Sequence, residues 1–253
     1  MNVDGLAALV TGGGSGMGEA TARALAAAGA RVAIADLDGE AAARVAREID
    51  GIGIETDVGQ ETSAVAAFQR AREAHGPVRL LVNCAGIATA GRIVGREGPL
   101  ALADFERTIR VNLIGTFNMM RLAAAEMLAL DPLDTDERGL IINTASVAAY
   151  EGQIGQAAYS ASKGGVVGLT VPAARELARH GIRVMTIAPG LIATPMLLTM
   201  PDEVKESLVA TTLFPHRLGQ PEEYAKLVLA IADNVLLNGE VVRLDGAIRL
   251  APK

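Results

Sequence analysis

The stretch ALVTGGGSGMGEATARALAAAGARVAIAD, residues 8 to 36, decides the fold. A short apolar run at 8–11 enters a glycine-rich turn, an alanine-rich helical pattern follows near 17–28, and a second apolar run ends at residue 36. A strand, a helix and a second strand in this order are typical of a βαβ unit, in which the two strands are parallel.

The same alternation continues to the end of the chain. Five more apolar runs predict strands at 51–57, 79–86, 139–146, 182–190 and 239–246, and helical patterns separate them near 40–49, 61–74, 103–129, 157–180 and 221–233. Continuous Val, Ile and Leu runs are typical of strands that are buried on both faces. We therefore predict one α/β domain over residues 1–253, a Rossmann-type doubly wound sheet of seven parallel strands with helices on both faces.

Two segments do not follow this alternation. Residues 131–139 form a polar stretch, which we predict to be a loop. Residues 191–219 make a long excursion rich in Met and Leu before the last helix, and long excursions in compact domains are often binding loops. We predict a substrate loop there, and the alternative is a pair of helices that packs on the body of the domain.

Composition excludes several classes of protein. The 253 residues are 50% hydrophobic and carry a net charge of −6 without a basic block, which argues against disorder and against a nucleic-acid partner. Prolines interrupt the uncharged run at 184–201, which argues against a membrane span. The single cysteine cannot form an intrachain disulfide, and the three histidines lie far from it in sequence, so we expect a cytoplasmic protein with no metal.

The turn TGGGSGMG, residues 11–18, lies where a first strand meets a first helix, which is the place where a dinucleotide pyrophosphate binds to free helix amides. Gly12, Gly16 and Gly18 give a G-x-x-x-G-x-G spacing and not G-x-G-x-x-G, so the position of the turn carries the argument, and an ordinary tight turn is the alternative. Asp36, followed by Leu37, ends the second strand where a carboxylate accepts hydrogen bonds from ribose hydroxyls. Because neither the turn nor the residues that follow Asp36 supply a cation for a 2′-phosphate, this favours NAD over NADP; the alternative is an Asp that caps the next helix.

Residues at the ends of the next two strands are candidates for the rest of the cofactor. Asp57 and Val58 follow the third strand and are expected at the adenine edge, unless Asp57 is a plain turn residue. Cys84, Ala85 and Gly86 are small enough for a ribose to lie close to them after the fourth strand. We interpret Cys84 as a small buried side chain and not as a nucleophile.

The segment YSASK places Tyr159 and Lys163 four residues apart near the start of a helix, so that both project from one face. A nearby ammonium and a cationic nicotinamide both favour the phenolate, so we expect the pKa of Tyr159 to fall and the residue to act as a general base. Ser146, at the end of the fifth strand, is expected to hold the reacting oxygen. Asn112 is a candidate anchor for a proton-relaying water, and a buried Asn satisfied by backbone groups is the alternative.

Together these residues resemble the short-chain dehydrogenase/reductase family over nearly the whole chain, through TGGGSGMG, Asp36, Asp57, NCAG, Asn112, Ser146, YSASK and the pair Pro189–Gly190. The resemblance implies that Gly12, Ser15, Gly16, Met17 and Gly18 bind the pyrophosphate, that Lys163 also binds the nicotinamide ribose, and that Pro189, Ile192 and Thr194 lie near the nicotinamide. It also implies a homotetramer that joins the helices near 103–129 and 157–180. Cys84 departs from the family pattern, which more often has a second Asn there.

The stretches at 139–165, 182–191 and 237–250 resemble one subgroup, the type 2 3-hydroxyacyl-CoA dehydrogenases. That resemblance implies NAD-dependent oxidation of an acyl-CoA thioester in fatty-acid or branched-chain amino-acid breakdown, with Gln153 facing the substrate alongside Ser146 and Tyr159. A hydroxysteroid or secondary alcohol dehydrogenase and a 3-ketoacyl thioester reductase remain open. So does an NAD-binding protein without turnover.

Overall fold

A seven-stranded parallel sheet forms the centre of the computed structural model, which describes residues 1–198, 208–209 and 211–252. Its strands are β1 (Ala7–Thr11), β2 (Arg31–Asp36), β3 (Ile52–Glu55), β4 (Val78–Asn83), β7 (Gly139–Thr144), β8 (Ile182–Pro189) and β9 (Val241–Leu244). The labels β5 and β6 belong to two short strands of a separate hairpin, described below. The order across the sheet is β3-β2-β1-β4-β7-β8-β9, and every pairing is parallel. The predicted fold class is confirmed.

Helices cover both faces of this sheet. They are α1 (Gly16–Ala27), α2 (Gly39–Glu48), α3 (Glu61–His75), α4 (Leu102–Ile109), α5 (Gly115–Leu128), α6 (Ala157–Ala178), α7 (Pro195–Leu198) and α8 (Pro221–Asp233). Side chains of β4 alternate between the two resulting cores: Leu80 packs with Leu25 of α1 and Val228 of α8, whereas Leu81 packs with Met119 of α5. Burial on both faces explains the continuous apolar runs in the sequence.

The chain reverses its direction of winding between β1 and β4. β2 and β3 are added on one side of β1, and β4 starts the strands on the other side. In open α/β sheets this reversal leaves a crevice at the carboxyl ends of the strands, and ligands bind there. The crevice therefore lies beside Thr11 and Asn83, the last residues of β1 and β4.

Three local features were not predicted. The helix expected at 103–129 contains a π-helical turn at Arg110–Ile114 between α4 and α5. Two short strands, β5 (Val94–Gly95) and β6 (Gly98–Pro99), form an antiparallel hairpin. The polar stretch before β7 buries Glu137 against Arg183, because the guanidinium and the carboxylate neutralise each other inside the fold.

The predicted substrate loop at 191–219 begins and ends at one point of the structure. Ala193 donates its N–H to the Gly219 carbonyl at 2.8 Å, and Gly219 donates to the Leu191 carbonyl at 2.8 Å. Residues 199–207 and 210 of this predicted loop lie outside the described residues. Within the described part of the chain, no helix has both the length and the apolar character that a bilayer span requires.

Candidate active site

A cavity of about 520 Å³ opens at the carboxyl ends of the strands. Nearly every residue proposed from the sequence lines it: Gly12, Ser15, Gly16, Met17, Gly18, Asp36, Leu37, Asp57, Val58, Cys84, Ala85, Gly86, Ser146, Gln153, Tyr159, Lys163, Pro189, Ile192 and Thr194. Among the predicted site residues, Asn112 does not line the cavity. Six loops that are far apart in sequence and the start of helix α6 therefore meet at one place, because parallel strands bring their carboxyl ends to one edge of the sheet.

The glycine-rich turn is shaped by close backbone approaches. Gly12 has φ +63°, in the left-handed region that favours glycine, and a Cβ there would lie 2.7 Å from the amide nitrogen of Ala85. A Cβ on Gly18 would lie 2.1 Å from the carbonyl oxygen of Gly12. Ser15, the N-cap of α1, makes no capping hydrogen bond with its side chain in the described structure. Gly16, Met17 and Gly18 of the first turn of α1 line the cavity, and the Ser15 side chain does not cap their amides, as an anion site requires.

Asp36 closes the far side of this turn. One carboxylate oxygen accepts from the Gly14 amide at 2.8 Å and the other accepts from the Asp38 amide at 3.0 Å. Arg44 donates to the Gly14 carbonyl at 2.9 Å and forms an ion pair with Glu19. The cation beside the turn is thus already neutralised, whereas Asp36 presents its negative charge to the cavity, and this supports the preference for NAD.

Asp57 lines the cavity and also organises its own turn. Its carboxylate accepts from the Gly59 amide at 2.9 Å, and its backbone N–H donates to the Ser63 hydroxyl at 3.0 Å. Asp57 is thus a turn residue, as the alternative interpretation proposed, and it also lies in the cavity wall. A contact of Asp57 with adenine stays a prediction.

Tyr159 and Lys163 lie in the first two turns of α6, above the end of β7. The Lys163 ammonium donates to the Thr144 carbonyl at 2.8 Å and lies 5.9 Å from the centre of the Tyr159 ring. Burial lowers the pKa of Lys163 to about 8, because an ammonium loses hydration inside the fold. Ser146 begins a short 3₁₀ turn, Val147–Ala149, and its hydroxyl accepts from the Ala148 amide at 3.1 Å.

The expected fall in the pKa of Tyr159 is not found in the chain by itself. Burial raises the pKa of Tyr159 above its ordinary value, and the neighbouring Ser146 hydroxyl lowers it in part. Burial outweighs the effects of neighbouring groups because a phenolate loses hydration in an apolar cleft. An activated Tyr159 therefore depends on positive charge that is held close to it, from Lys163 and from a bound cationic ring.

Asn112 lies in the π-helical turn, outside the cavity lining, and is fully buried. Its side-chain oxygen accepts from the Ile87 amide at 2.8 Å, and its nitrogen donates to the Ile87 carbonyl at 2.9 Å and to the Ser162 hydroxyl at 3.0 Å. These contacts agree with the alternative of an asparagine that is satisfied mainly by backbone groups. They fix the segment after Gly86 to α6, and the water-relay role stays a prediction.

A network of hydrogen bonds behind Lys163 was not predicted from the sequence. The Thr144 hydroxyl donates to the Asn83 carbonyl at 2.6 Å, so it accepts from the Tyr224 hydroxyl at 2.7 Å. The Cys84 thiol lies 3.7 Å from the Tyr224 oxygen, and burial raises the pKa of this thiol. These hydrogen bonds therefore fix Thr144, whose carbonyl accepts from Lys163. Cys84 acts as a neutral small side chain.

Among the other residues that line the cavity, Gln156 and Leu250 were also not anticipated. Gln156 lies one turn before Tyr159, and that spacing could have identified it. Leu250 comes from the C-terminal end of the chain and has no local pattern that points to the site. In the described residues, no group of three or more His, Cys, Asp or Glu side chains is arranged to hold a metal ion.

Comparison with known proteins agrees with this geometry. The family model for the short chain dehydrogenase matches residues 6–205. A Bos taurus protein named 3-hydroxyacyl-CoA dehydrogenase type-2 is 55% identical over 99% of this chain and 98% of its own, and the Homo sapiens protein of that name is 51% identical over the same shares. The crystal structure of 3-hydroxyacyl-CoA dehydrogenase type-2 from Mycobacterium avium superposes with a TM-score of 0.94 at 45% identity, over 98% of both chains. The chain therefore belongs to the short-chain dehydrogenase family.

Proposed function

We propose that this chain catalyses the NAD-dependent oxidation of 3-hydroxyacyl-CoA to 3-ketoacyl-CoA. One observation carries the chemistry: Ser146, Tyr159 and Lys163 line the same cavity as the glycine-rich turn of α1 and Asp36. A proton acceptor and a dinucleotide site that share one cavity are what hydride transfer requires. The names of the relatives, which are more than 50% identical, support the choice of substrate.

The residues of the cavity fit NAD. The uncapped amides at Gly16, Met17 and Gly18 suit the pyrophosphate, with Gly12 and Ser15 beside them, and Asp36 suits the adenosine ribose hydroxyls. We assign the adenine side to Leu37, Asp57 and Val58, the ribose floor to Cys84, Ala85 and Gly86, and the nicotinamide side to Pro189, Ile192 and Thr194. When bound, NAD supplies a nicotinamide ring that accepts a hydride.

Tyr159 accepts the proton of the substrate's 3-hydroxyl as the hydride leaves the carbon that bears it. The phenol is neutral in the chain alone, so Lys163, whose ammonium lies 5.9 Å from the centre of the Tyr159 ring, stabilises the phenolate and also binds the nicotinamide ribose. Ser146 donates a hydrogen bond to the same substrate oxygen and keeps it within reach of Tyr159. Gln153, which lines the same cavity, contacts the rest of the substrate, and oxidation of a 3-hydroxyacyl-CoA is a step of fatty-acid metabolism.

The test is NADH formation at 340 nm from 3-hydroxybutyryl-CoA, 2-methyl-3-hydroxybutyryl-CoA, longer 3-hydroxyacyl-CoAs, a 17β-hydroxysteroid and simple secondary alcohols, with NADP run in parallel. We expect the CoA thioesters with NAD to give the highest kcat/KM. Turnover of a steroid or an alcohol with no turnover of any thioester would keep the proton chemistry and refute the substrate. A preference for NADP in the reductive direction would favour the 3-ketoacyl thioester reductase instead.

A pair of tyrosine variants tests the role of the base. Tyr159→Phe should remove nearly all turnover while NADH still binds, because the ring remains and only the hydroxyl is lost. Tyr150→Phe is the matched control, since Tyr150 is about half exposed and stacks on Arg243 outside the cavity. Full activity of Tyr159→Phe would refute the assignment.

Assembly and location complete the proposal. Ile114, Phe117 and Val171 on the helical segments around α5 and α6 are between 42% and 47% exposed, which supports a homotetramer joined through these helices. Sedimentation velocity of the purified protein distinguishes a tetramer from a monomer. The single cysteine, Cys84, supports a cytoplasmic location, and cell fractionation tests it.

A further inference from the structure

The last described residues, 248–252, form a C-terminal tail that lies along the loop between Ser146 and Tyr159. Leu250 donates its amide to the Glu151 carboxylate at 3.2 Å, and the Ile154 amide donates to the Pro252 carbonyl at 2.9 Å. Between them, the Gln153 side chain donates to the Ala251 carbonyl at 3.1 Å. Three successive tail residues are therefore each bonded to the loop that carries a predicted substrate contact.

An ionic clamp holds this tail in place. Arg243 of β9 donates to both carboxylate oxygens of Glu151, at 2.8 and 3.2 Å, and to the Ile248 carbonyl at 3.0 Å. Arg249 in the tail lies 3.4 Å from the same carboxylate. The two arginines lower the pKa of Glu151. A bidentate arginine pair fixes geometry as well as charge, so the tail is held in one position against the loop.

The fixed tail places Leu250 in the wall of the active-site cavity. Leu197 and Leu208 line the same cavity from the 191–219 segment, and Gln156 lines it one helical turn before Tyr159. Leu250 is bonded to the loop between Ser146 and Tyr159, and Leu197 and Leu208 come from the segment after β8, whereas the acidic adenosine side begins at Asp36 on another strand. Apolar side chains at the substrate side suit a hydrocarbon chain better than the polar amides of a CoA arm.

We propose that the C-terminal tail closes the acyl side of the cavity, and that Leu250 sets the longest acyl chain that is oxidised efficiently. This inference rests on the proposed function, because it assigns one wall of the same site to the acyl part of the substrate. Leu250 acts as a specificity-determining residue. It does not take part in proton or hydride transfer.

The experiment compares kcat/KM for straight-chain 3-hydroxyacyl-CoAs of four to twelve carbons in wild type, Leu250→Ala, Leu250→Phe and the control Leu236→Ala. Leu236 is 92% exposed in the turn before β9 and does not line the cavity. Each buried methylene changes kcat/KM by about fourfold. Room for two more methylenes therefore raises the ratio of long-chain to short-chain kcat/KM by about fifteenfold in Leu250→Ala, and Leu250→Phe lowers the same ratio.

Several results would overturn the proposal. One is an unchanged chain-length profile in both Leu250 variants. Another is an equal rise in KM for every chain length, which would mean that Leu250 borders the thioester or the CoA arm. NADH binding and thermal unfolding of each variant show whether a loss of activity comes from misfolding. If Leu250→Ala does not fold, Leu250→Phe provides the second test. If wild type oxidises no 3-hydroxyacyl-CoA, the proposed function fails first, and that outcome differs from turnover with an unaltered profile.

Discussion

Replacing Lys163 by Met tests how the site activates its tyrosine. The substitution keeps a side chain of similar length in the buried slot and removes the ammonium that lies 5.9 Å from the Tyr159 ring centre. Opposite unit charges about 6 Å apart attract by about 2.8 kcal/mol at an effective dielectric constant of about 20, which corresponds to about two pKa units. The pKa of Tyr159 in the working enzyme should therefore rise by about two units in Lys163→Met.

The assay is kcat at saturating NAD and substrate between pH 6 and 10, because saturation separates the proton step from weaker cofactor binding. We expect kcat at pH 7 to fall about 100-fold and the rising limb of the profile to move about two pH units upward. The difference in kcat between wild type and Lys163→Met should shrink above pH 8, because Lys163 has a pKa of about 8 and loses its proton there. Lys226→Met, which removes an exposed ammonium from α8, is the control.

The reasoning is refuted if Lys163→Met lowers kcat by the same factor at every pH, because the lysine would then act only by holding the fold or the cofactor. A stability measurement gives an independent check. The pKa of Lys163 is lowered from 10.5 to about 8, so between these values the unfolded chain binds a proton that the folded chain does not. Wild-type stability should rise across pH 8 to 10.5, by about 3 kcal/mol, and urea unfolding of Lys163→Met should lack this rise.

Three further substitutions test the cofactor site and its support. Gly18→Ala should abolish NADH binding in a fluorescence titration, because its Cβ would lie 2.1 Å from the Gly12 carbonyl oxygen; retained binding would contradict the close approach. Asp36→Asn keeps an acceptor for the Gly14 amide but removes the charge, so the ratio of kcat/KM for NADP to that for NAD should rise about tenfold, and an unchanged ratio would remove Asp36 from the cofactor preference. Tyr224→Phe loses a buried hydrogen bond and should lower the unfolding free energy by about 1 kcal/mol in urea with an unchanged m-value, whereas no loss would mean that the bond contributes nothing net.

Site residues were predictable from sequence where the residue type and its place in the βαβ alternation together allow a single chemical role. Asp36 and Ser146 end predicted strands, and Tyr159 and Lys163 share one helix face, so their meeting at one edge followed from the parallel sheet alone. Asn112 shows the limit of this reasoning. An asparagine side chain can either anchor a water or bridge two segments of the fold. The hydrogen bonds of Asn112 to Ile87 and Ser162 depend on the π-helical turn, which no local sequence pattern predicted.

Contacts between distant segments account for what the sequence left undecided. The periodicity of apolar residues determined the seven strands, their parallel direction and the edge at which a dinucleotide binds. This was possible because the apolar pattern of each strand and helix depends on which of its own faces are buried. The pKa of Tyr159, the Tyr224–Thr144 chain under Lys163 and the position of Leu250 in the cavity wall were decided by tertiary structure. Desolvation and hydrogen-bond partners depend on which groups the fold brings together from far along the chain, and no short stretch of sequence contains that information.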